Sequence, residues 1–358
     1  MIRFLRKIDF LLILPALLLS GVGLLMIYSI SYESDPSFFT RQAINILISL
    51  VVFIVVANLD FKTIAHLAIP LYIVLIIILM VTLAVGTETR GSVRWLDLGF
   101  VSLQGAELAK PILVLFLASF FAKHQPNKPI NFFLSALLAA GPVLLIAYQP
   151  NLSNSLILAS IWVFMTFVAG TNLLYLLASA SGLLVVAPLI WNFLLASYQK
   201  TRILTFFNPS LDPQGASYNV VQALIALGSG GLTGKGLGRG TQSQLNFLPE
   251  GRTDFILAAA GEELGYLGVS LIILIAAFLI YWILKIAWSI KNSQGALFAY
   301  GCAFTIILQF FMSAGMNMGI FPVSGVTLPF VSFGGSSLVA MFVLLGLVQS
   351  AKNGGQIV

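Results

Sequence analysis

The chain is poor in charge, in histidine and in cysteine. Of its 358 residues only 8% are Asp, Glu, Lys or Arg, two are His and one is Cys. A soluble domain carries about 25% charged residues, so this composition cannot cover a surface that faces water. Disorder is excluded for the converse reason. Disordered chains are apolar-poor and charge-rich, whereas this one is 59% hydrophobic with a mean hydropathy of +1.01. The single cysteine, Cys302, lies in an apolar run, which rules out a disulfide framework and a cysteine-ligated metal site. With so few charges, the net +6 is informative mainly through where its members sit.

What is abundant is long hydrophobic runs. About 20 apolar residues are needed to cross a hydrocarbon core of about 30 Å. Ten such runs occur, at approximately 10–30, 43–60, 64–85, 106–122, 131–148, 152–169, 173–195, 255–286, 296–316 and 326–350. The first is long, lacks a small-residue cleavage site and is followed by more spans, so it does not read as a cleaved signal peptide. The expectation is an all-α polytopic membrane protein of about ten transmembrane helices, one integral domain over 1–358.

Lys and Arg of short loops stay cytoplasmic. Arg3, Arg6 and Lys7 precede the first span. Alternating ten spans from there puts Lys62, Lys123, Lys128, Lys285, Lys291 and Lys352 on the same side. Both termini are therefore expected in the cytoplasm. The opposite side holds segments 86–104 and 317–325 and a large extracytoplasmic loop, 196–254, between spans 7 and 8. Loops of that length in compact folds are usually functional. Arg41, Arg90, Arg94, Lys200, Arg202, Lys235, Arg239 and Arg252 fall outside, a population suited to an anionic, lipid-linked group and not to nucleic acid.

Four polar constellations mark the outer half. In the first, Gly91–Gly99 contains Arg94-Trp95 and is followed by Glu107-Leu108-Ala109-Lys110-Pro111. Glu107 and Lys110 are three apart on a helix and can pair. Ionisable groups within a span suggest a ligand path by default, the alternative being an ion pair that only holds helices together. Arg94-Trp95 reads equally as an interfacial anchor. The second runs from Tyr218 to Ser243 and packs seven glycines into residues 228–240, with Lys235 and Arg239 between them and Thr241, Gln242 and Ser243 after. Successive backbone N–H groups in such a run form anion-binding concavities; a flexible linker is the bland alternative. It is not a nucleotide P-loop, because the spacing is missing.

The third reads Phe247-Leu248-Pro249-Glu250-Gly251-Arg252-Thr253-Asp254, then Gly261-Glu262-Glu263. Thr253 or Asp254 would serve as a helix cap. Asp254 also stands where water, loop and membrane meet, the place for a general base acting on a lipid-borne substrate. Glu262 follows about 12 Å along the helix and about 80° around it. Glu262 and Glu263 need partners within the span, and Arg94 and Lys110 are the candidates. The fourth, Met316 to Ser337, combines Pro322, Pro329 and Gly334-Gly335-Ser336-Ser337. Such irregular backbone at membrane depth is tolerated when it lines a cavity.

Taken together these segments resemble the SEDS family, the shape, elongation, division and sporulation proteins, and most closely its rod-shape members. The matching runs are Gly-Ser-Val-Arg-Trp-Leu, Glu-Leu-Ala-Lys-Pro, the glycine run through Gly-Thr-Gln-Ser, Phe-Leu-Pro-Glu, Thr-Asp-Phe-Ile, Gly-Glu-Glu-Leu-Gly and Phe-Gly-Gly-Ser-Ser, in order over 90–337. The resemblance implies a peptidoglycan glycosyltransferase that polymerises lipid II into glycan strands at the outer face of the bacterial cytoplasmic membrane, in cell-wall elongation and shape. It implies a class B penicillin-binding protein as partner, and it maps the family's essential aspartate onto Asp254, with Glu107 and Lys110 carried over likewise. The chain departs from the pattern at Asn151, where the family usually has Asp, at Gly105-Ala106 for Pro-Ser, and at Phe333 for Tyr.

Glycosyl transfer from lipid II needs a base for the acceptor hydroxyl and positive charge for the departing diphosphate. Asp254 is the expected base. Arg94, Lys110, Lys235 and Arg239 are the expected cations, helped by the glycine-run N–H groups. Glu107, Thr241, Gln242, Ser243, Glu250, Glu262 and Ser336 complete the candidate substrate site. No cofactor is demanded; a divalent cation on the diphosphate is compatible, though no carboxylate cluster calls for one. The alternative is a lipid II flippase, which requires a polar path through to the cytoplasmic side, whereas the unusual residues crowd the outer half.

Overall fold

Within hydrocarbon a backbone N–H or C=O finds no water, so apolar runs of this length close their hydrogen bonds internally as α-helices. The computed structural model describes residues 8–32, 35–89, 92–97, 102–195, 197–208, 215–245 and 247–354. Arg3, Arg6, Lys7 and Arg90, and Gly91, Leu98 and Gly99 of the first motif, lie outside the described residues. The helices are α1 Phe10–Ser31, α2 Ser37–Asn58, the short α3 Phe61–His66, α4 Ala68–Val85, α5 Gly105–Phe121, α6 Pro129–Tyr148, α7 Leu152–Val168 and α8 Leu173–Leu189, which runs on through a π-helical turn, Ile190–Leu194. They continue as α9 Ser197–Phe207, α10 Ala216–Ser229, α11 Thr241–Gln244, α12 Ile256–Ser289, α13 Ser293–Asn317 and α14 Gly335–Gly354.

Among the described residues eight helices are long and apolar enough to cross a membrane. The runs expected at 106–122 and 152–169 form α5 and α7, of 17 residues each, about 26 Å at 1.5 Å per residue. Both pack inside the bundle against α13. Ala109, Leu113, Val114, Leu117 and Ala118 of α5, and Ile157, Leu158 and Ile161 of α7, are wholly buried. By contrast α2, α4, α6 and α8 expose rows of large apolar side chains such as Leu47, Val51 and Val55, or Ile69, Ile73 and Ile77, faces suited to lipid.

Three expectations need correction. The fold is not purely helical: segment 86–104 contains an antiparallel sheet, β1 Thr87–Thr89, β2 Ser92–Asp97 and β3 Ser102–Gln104, in the order β1-β2-β3. Trp95 pairs with Thr87 on one side and Gln104 on the other, and the Thr, Val and Trp of this stretch are strand formers. The last helix starts at Gly335, not near 326. Pro329 has no N–H to donate, and Phe330 takes a left-handed φ of +66°, so the chain stays irregular until Gly334. The long loop 196–254 is not bare loop, since it holds α9, α10 and α11.

The other end of the bundle is tied at Asp9, the N-cap of α1. Its carboxylate accepts from Lys352 Nζ at 2.6 Å and from Trp282 Nε1 at 2.7 Å, while its N–H donates to Gln349 Oε1 at 2.9 Å. Burial pushes this carboxyl up, but the bonds from Lys352 and Trp282 outweigh it and hold Asp9 below its ordinary range. A folded-state value below the unfolded one stabilises at neutral pH and is lost as pH falls through the folded value. The melting-temperature difference between wild type and Asp9→Asn should therefore be positive at pH 6 and shrink towards zero below about pH 4.

Helix α12 breaks at Gly265, whose φ is +68°. The carbonyls of Glu262 and Glu263, released there from helical bonding, accept from the N–H groups of Lys235 and Gly236 at 3.0 Å each. In return Tyr266 and Leu267 donate to the carbonyls of Gly231 and Leu232 at 2.9 and 3.1 Å. The glycine run is thus laced into the kink, backbone against backbone. A Cβ on Gly265 would lie 2.2 Å from the Gly234 nitrogen, and one on Gly234 2.1 Å from the Glu263 oxygen. Left-handed backbone with a Cβ costs about 1–2 kcal/mol and overpacking about 1–3 more. Gly265→Ala should therefore lower the melting temperature by several degrees and open 230–236 to protease. Gly228→Ala, where a Cβ meets nothing within 4 Å, should do neither.

Candidate active site

Asp254 stands in the turn that opens α12, and neighbouring segments brace this turn through its backbone. Glu250, with φ +56°, turns its carbonyl to accept from the N–H groups of Thr253 and Phe255, both at 3.1 Å. Phe333 N–H donates to the Arg252 carbonyl at 3.0 Å and Ser332 Oγ to the Thr253 carbonyl at 2.6 Å. Asn317, at the end of α13, gives its Nδ2 to the Asp254 carbonyl and accepts the Ala258 N–H on its Oδ1, both at 2.9 Å. The N-cap position of α12 is Phe255, with no side-chain cap bond. Thr253 and Asp254 precede that position. The Asp254 carboxylate is half-buried, and its Oδ2 lies against Gly325, 3.6 Å from where a Cβ would be. Glu250 serves the turn itself, accepting from Thr253 Oγ1 at 2.9 Å.

The two glutamates of α12 find partners, but not the expected ones. Glu262, wholly buried, accepts from Lys235 Nζ at 2.8 Å, Thr241 Oγ1 at 3.0 Å, Gln242 N–H at 2.9 Å and Ser243 N–H at 3.0 Å. Glu263 accepts from Ser29 Oγ at 2.5 Å, Ser243 Oγ at 3.2 Å and Gln244 Nε2 at 3.1 Å. Neither Arg94 nor Lys110 is among these partners. The backbone N–H groups on Glu262 are those of Gln242 and Ser243, just past the glycine run, and the Gly238 N–H of the run itself meets Glu263 Oε2 at 3.4 Å. Lys235 is committed to this clamp, and it also donates to Thr241 Oγ1 at 2.9 Å. Arg239 is exposed on the same loop.

Glu107 and Lys110 pair with each other at 2.7 Å at the entry of α5, 4% and 0% exposed. Glu107 Oε2 is buried without a hydrogen-bond partner. Ser336 accepts from the Gln104 N–H at 3.2 Å, joining the start of α14 to β3. Arg94, on β2, donates from Nε to the Gln149 carbonyl at 3.4 Å and from a terminal nitrogen to the Pro150 carbonyl. It lines a cleft of about 200 Å³ with Asn151, Arg202 and the 321–324 segment. Of the proline-bearing stretch after α13, residues 321–324 line this cleft, whereas Pro329 and Gly334–Ser337 are not among its lining residues. Among the described residues no group of three or more His, Cys, Asp or Glu is placed to hold a metal ion.

Ser29, Gln244 and Asn317 are not singled out by the sequence. A lone Ser among the apolar residues of α1 was the available signal for Ser29, and an Asn ending an apolar run for Asn317. Nothing local distinguishes Gln244 from an ordinary loop residue.

A bundle of membrane-length helices, with a braced carboxylate and a clamped glycine loop at one end, defines a multi-pass membrane protein whose polar chemistry sits at that end. The family model described as cell cycle protein, of the FtsW, RodA and SpoVE type, matches residues 9–355. The peptidoglycan glycosyltransferase MrdB of Escherichia coli K12 is 39% identical over 343 residues, covering 95% of this chain and 91% of that protein. Stage V sporulation protein E of Bacillus subtilis is 34% identical over 360 residues, covering 96% and 97%. A chain from a peptidoglycan synthase complex, described as coordinating polymerization and crosslinking, superposes with a TM-score of 0.85 at 27% identity, covering 98% and 99%. The crystal structure of the rod shape determining protein RodA of Thermus thermophilus gives 0.73 at 26%, covering 97% of each chain. The chain belongs to the FtsW, RodA and SpoVE family, the SEDS family that its motifs resemble.

Proposed function

We propose that the protein is a peptidoglycan glycosyltransferase of the bacterial cytoplasmic membrane, with ten spans and both termini in the cytoplasm, which polymerises lipid II at the outer face during wall elongation and shape maintenance. The Asp9–Lys352 contact supports the topology, since it brings the start of α1 and the end of α14 to one end of the bundle. Relatives named as peptidoglycan glycosyltransferases support the activity. The observation that carries the site is Asp254: a carboxylate at the mouth of α12, on a turn held by Asn317, Ser332 and Phe333.

In the reaction Asp254 takes the proton of the acceptor sugar's 4-hydroxyl. The oxygen bonds to C1 of the donor sugar as the C1–O bond to the diphosphate breaks, with inversion, and the diphosphate leaves on its prenyl carrier. Holding base and substrate in register supplies much of the rate, and fixed positive charge stabilises the leaving group. Arg94 and Arg239 are the cations assigned to that role. Lys235, with Thr241, Gln242, Ser243 and Glu262, fixes the loop that carries Arg239; Glu250 shapes the Asp254 turn, and Ser336 ties α14 to the sheet. Glu107 and Lys110, sealed from solvent, position the entry of α5. A divalent cation taking part would ride on the diphosphate oxygens.

The likeness to a chain from a polymerising and crosslinking complex favours a class B penicillin-binding protein as partner. The test is purified protein with lipid II, with and without that partner, read for glycan strands. Strands are expected; lipid II crossing the bilayer with no strands formed would instead favour a flippase.

A further inference from the structure

Towards its end, helix α13 carries a polar residue at every fourth position: Thr305, Gln309, Ser313 and Asn317, all wholly buried. Residues four apart share one side of a helix. The ends of this row are bonded. Thr305 Oγ1 donates to the Gly301 carbonyl at 2.8 Å, and Asn317 Nδ2 to the carbonyls of Ser313 and Asp254 at 2.8 and 2.9 Å. The middle is not. Among the described residues, Gln309 Oε1 and Nε2 and Ser313 Oγ have no hydrogen-bond partner.

The packing sets what stands level with that middle. A Cβ on Gly301 would lie 2.6 Å from both Val114 Cγ1 of α5 and Met165 Sδ of α7, so three helices meet there. Helix α13 ends at the Asp254 turn. Helices α5 and α7 begin at that end, α7 tied there by Ser153 Oγ on the Ser324 carbonyl. Glu107 is about two turns from Val114 towards it, and Asn154 about three turns from Met165, each on the same helix face. Gln309 and Ser313 stand at about those heights on α13. Among the described residues Glu107 Oε2 and Asn154 Oδ1 are also buried without partners. Pro111 has no N–H, so the Glu107 carbonyl lacks its helical donor too.

We infer that Gln309 is a positioning residue: with Ser313 it holds ordered water against Glu107, fixing the Glu107–Lys110 pair to the helix whose Asn317 braces the Asp254 turn. Water suits a site that needs donor and acceptor together. Gln309 Nε2 and Ser313 Oγ can give, while Glu107 Oε2, Gln309 Oε1 and Asn154 Oδ1 receive. A buried water makes about three bonds to groups the protein leaves unsatisfied. Ordered water also serves the carbonyls that prolines free in membrane helices. A metal cation is disfavoured, because the Lys110 ammonium already stands 2.7 Å from Glu107 Oε1. The water site depends on the structure alone, and its bearing on catalysis rests on the proposed glycosyl transfer.

The test is the melting temperature of Gln309 variants of the full-length protein in detergent, made in the wild type and in Glu107→Gln/Lys110→Met. Methionine is unbranched like glutamine and about as long, but it has no amide. Were the Gln309 amide merely stranded, Gln309→Met would remove a buried unbonded group and raise the melting temperature. Holding water against Glu107, it should instead lower it by a few degrees. Gln309→Asn should lose less than about half as much, because water spans the missing methylene. In the background without the ion pair, Gln309→Met should also lose less than about half as much. An unchanged or higher melting temperature for Gln309→Met, an equal loss in Gln309→Asn, or an equal loss in both backgrounds would each overturn the inference. A crystal structure that resolves water should show one within hydrogen-bond reach of Gln309 and Glu107 Oε2; Gln309 bonded directly to Glu107 would overturn it as well. Below its melting transition, Gln309→Met should lower the strand-forming rate at saturating lipid II several-fold and keep KM, since Gln309 touches no substrate. If glycan forms and that variant keeps the wild-type rate, or raises KM instead, the positioning role is wrong. If the wild type makes no glycan, glycosyl transfer falls and the melting temperatures still decide the water site.

Discussion

Asp254→Asn should fold as the wild type does and lose glycan synthesis from lipid II by about 10²–10⁴-fold, the usual contribution of a positioned general base. That is about 3–5 kcal/mol of transition-state stabilisation at 1.36 kcal/mol per decade. The fold is expected to survive because the turn depends on the backbone of Arg252, Thr253 and Asp254, held by Phe333, Ser332 and Asn317. Asn keeps the shape and removes the basicity. The measurement is the strand-forming rate in detergent alongside the melting temperature. A variant that keeps more than a tenth of the rate at wild-type stability would remove Asp254 from the chemistry.

The architecture was largely legible because membrane helices announce themselves by length and apolarity. Even α5 and α7, which are short, begin within two residues of the expected positions. The site was legible as a set of segments and much less so as a set of bonds. Glu262 needed a buried partner, and Lys235 supplies it from 27 positions earlier in the chain. Nothing in the spacing chooses Lys235 over Arg94 or Lys110, because that choice depends on the kink at Gly265, and a glycine in a helical pattern does not reveal its φ. The glycine run was similarly ambiguous. Glycine allows close approach of backbone to a ligand or of backbone to backbone, and here Gly234 meets the α12 kink. The small sheet was missed because strands of three to six residues leave too little alternation to be heard beside helices of twenty.

Lys110→Met should be among the most destabilising single changes in the protein, and adding Glu107→Gln should recover most of what is lost. The lysine is wholly buried and its ammonium bonds Glu107 at 2.7 Å. Removing one member of a buried pair strands the other charge and costs about 3–5 kcal/mol, whereas replacing both is often close to neutral. Glu107 is the more exposed to this penalty because its Oε2 already lacks a partner. The readouts are melting temperature and protease resistance of the single and double variants in the same detergent. Stability that does not return in the double variant would mean that Lys110 holds the entry of α5 through its packed stem and not through its charge. Activity then separates two roles for the pair. If Glu107 and Lys110 only position α5, glycan synthesis should return with the fold, to within about tenfold of wild type. A double variant as stable as wild type and still inactive would put their charges on the substrate, reached by an opening of this end of the bundle that the closed structure does not display.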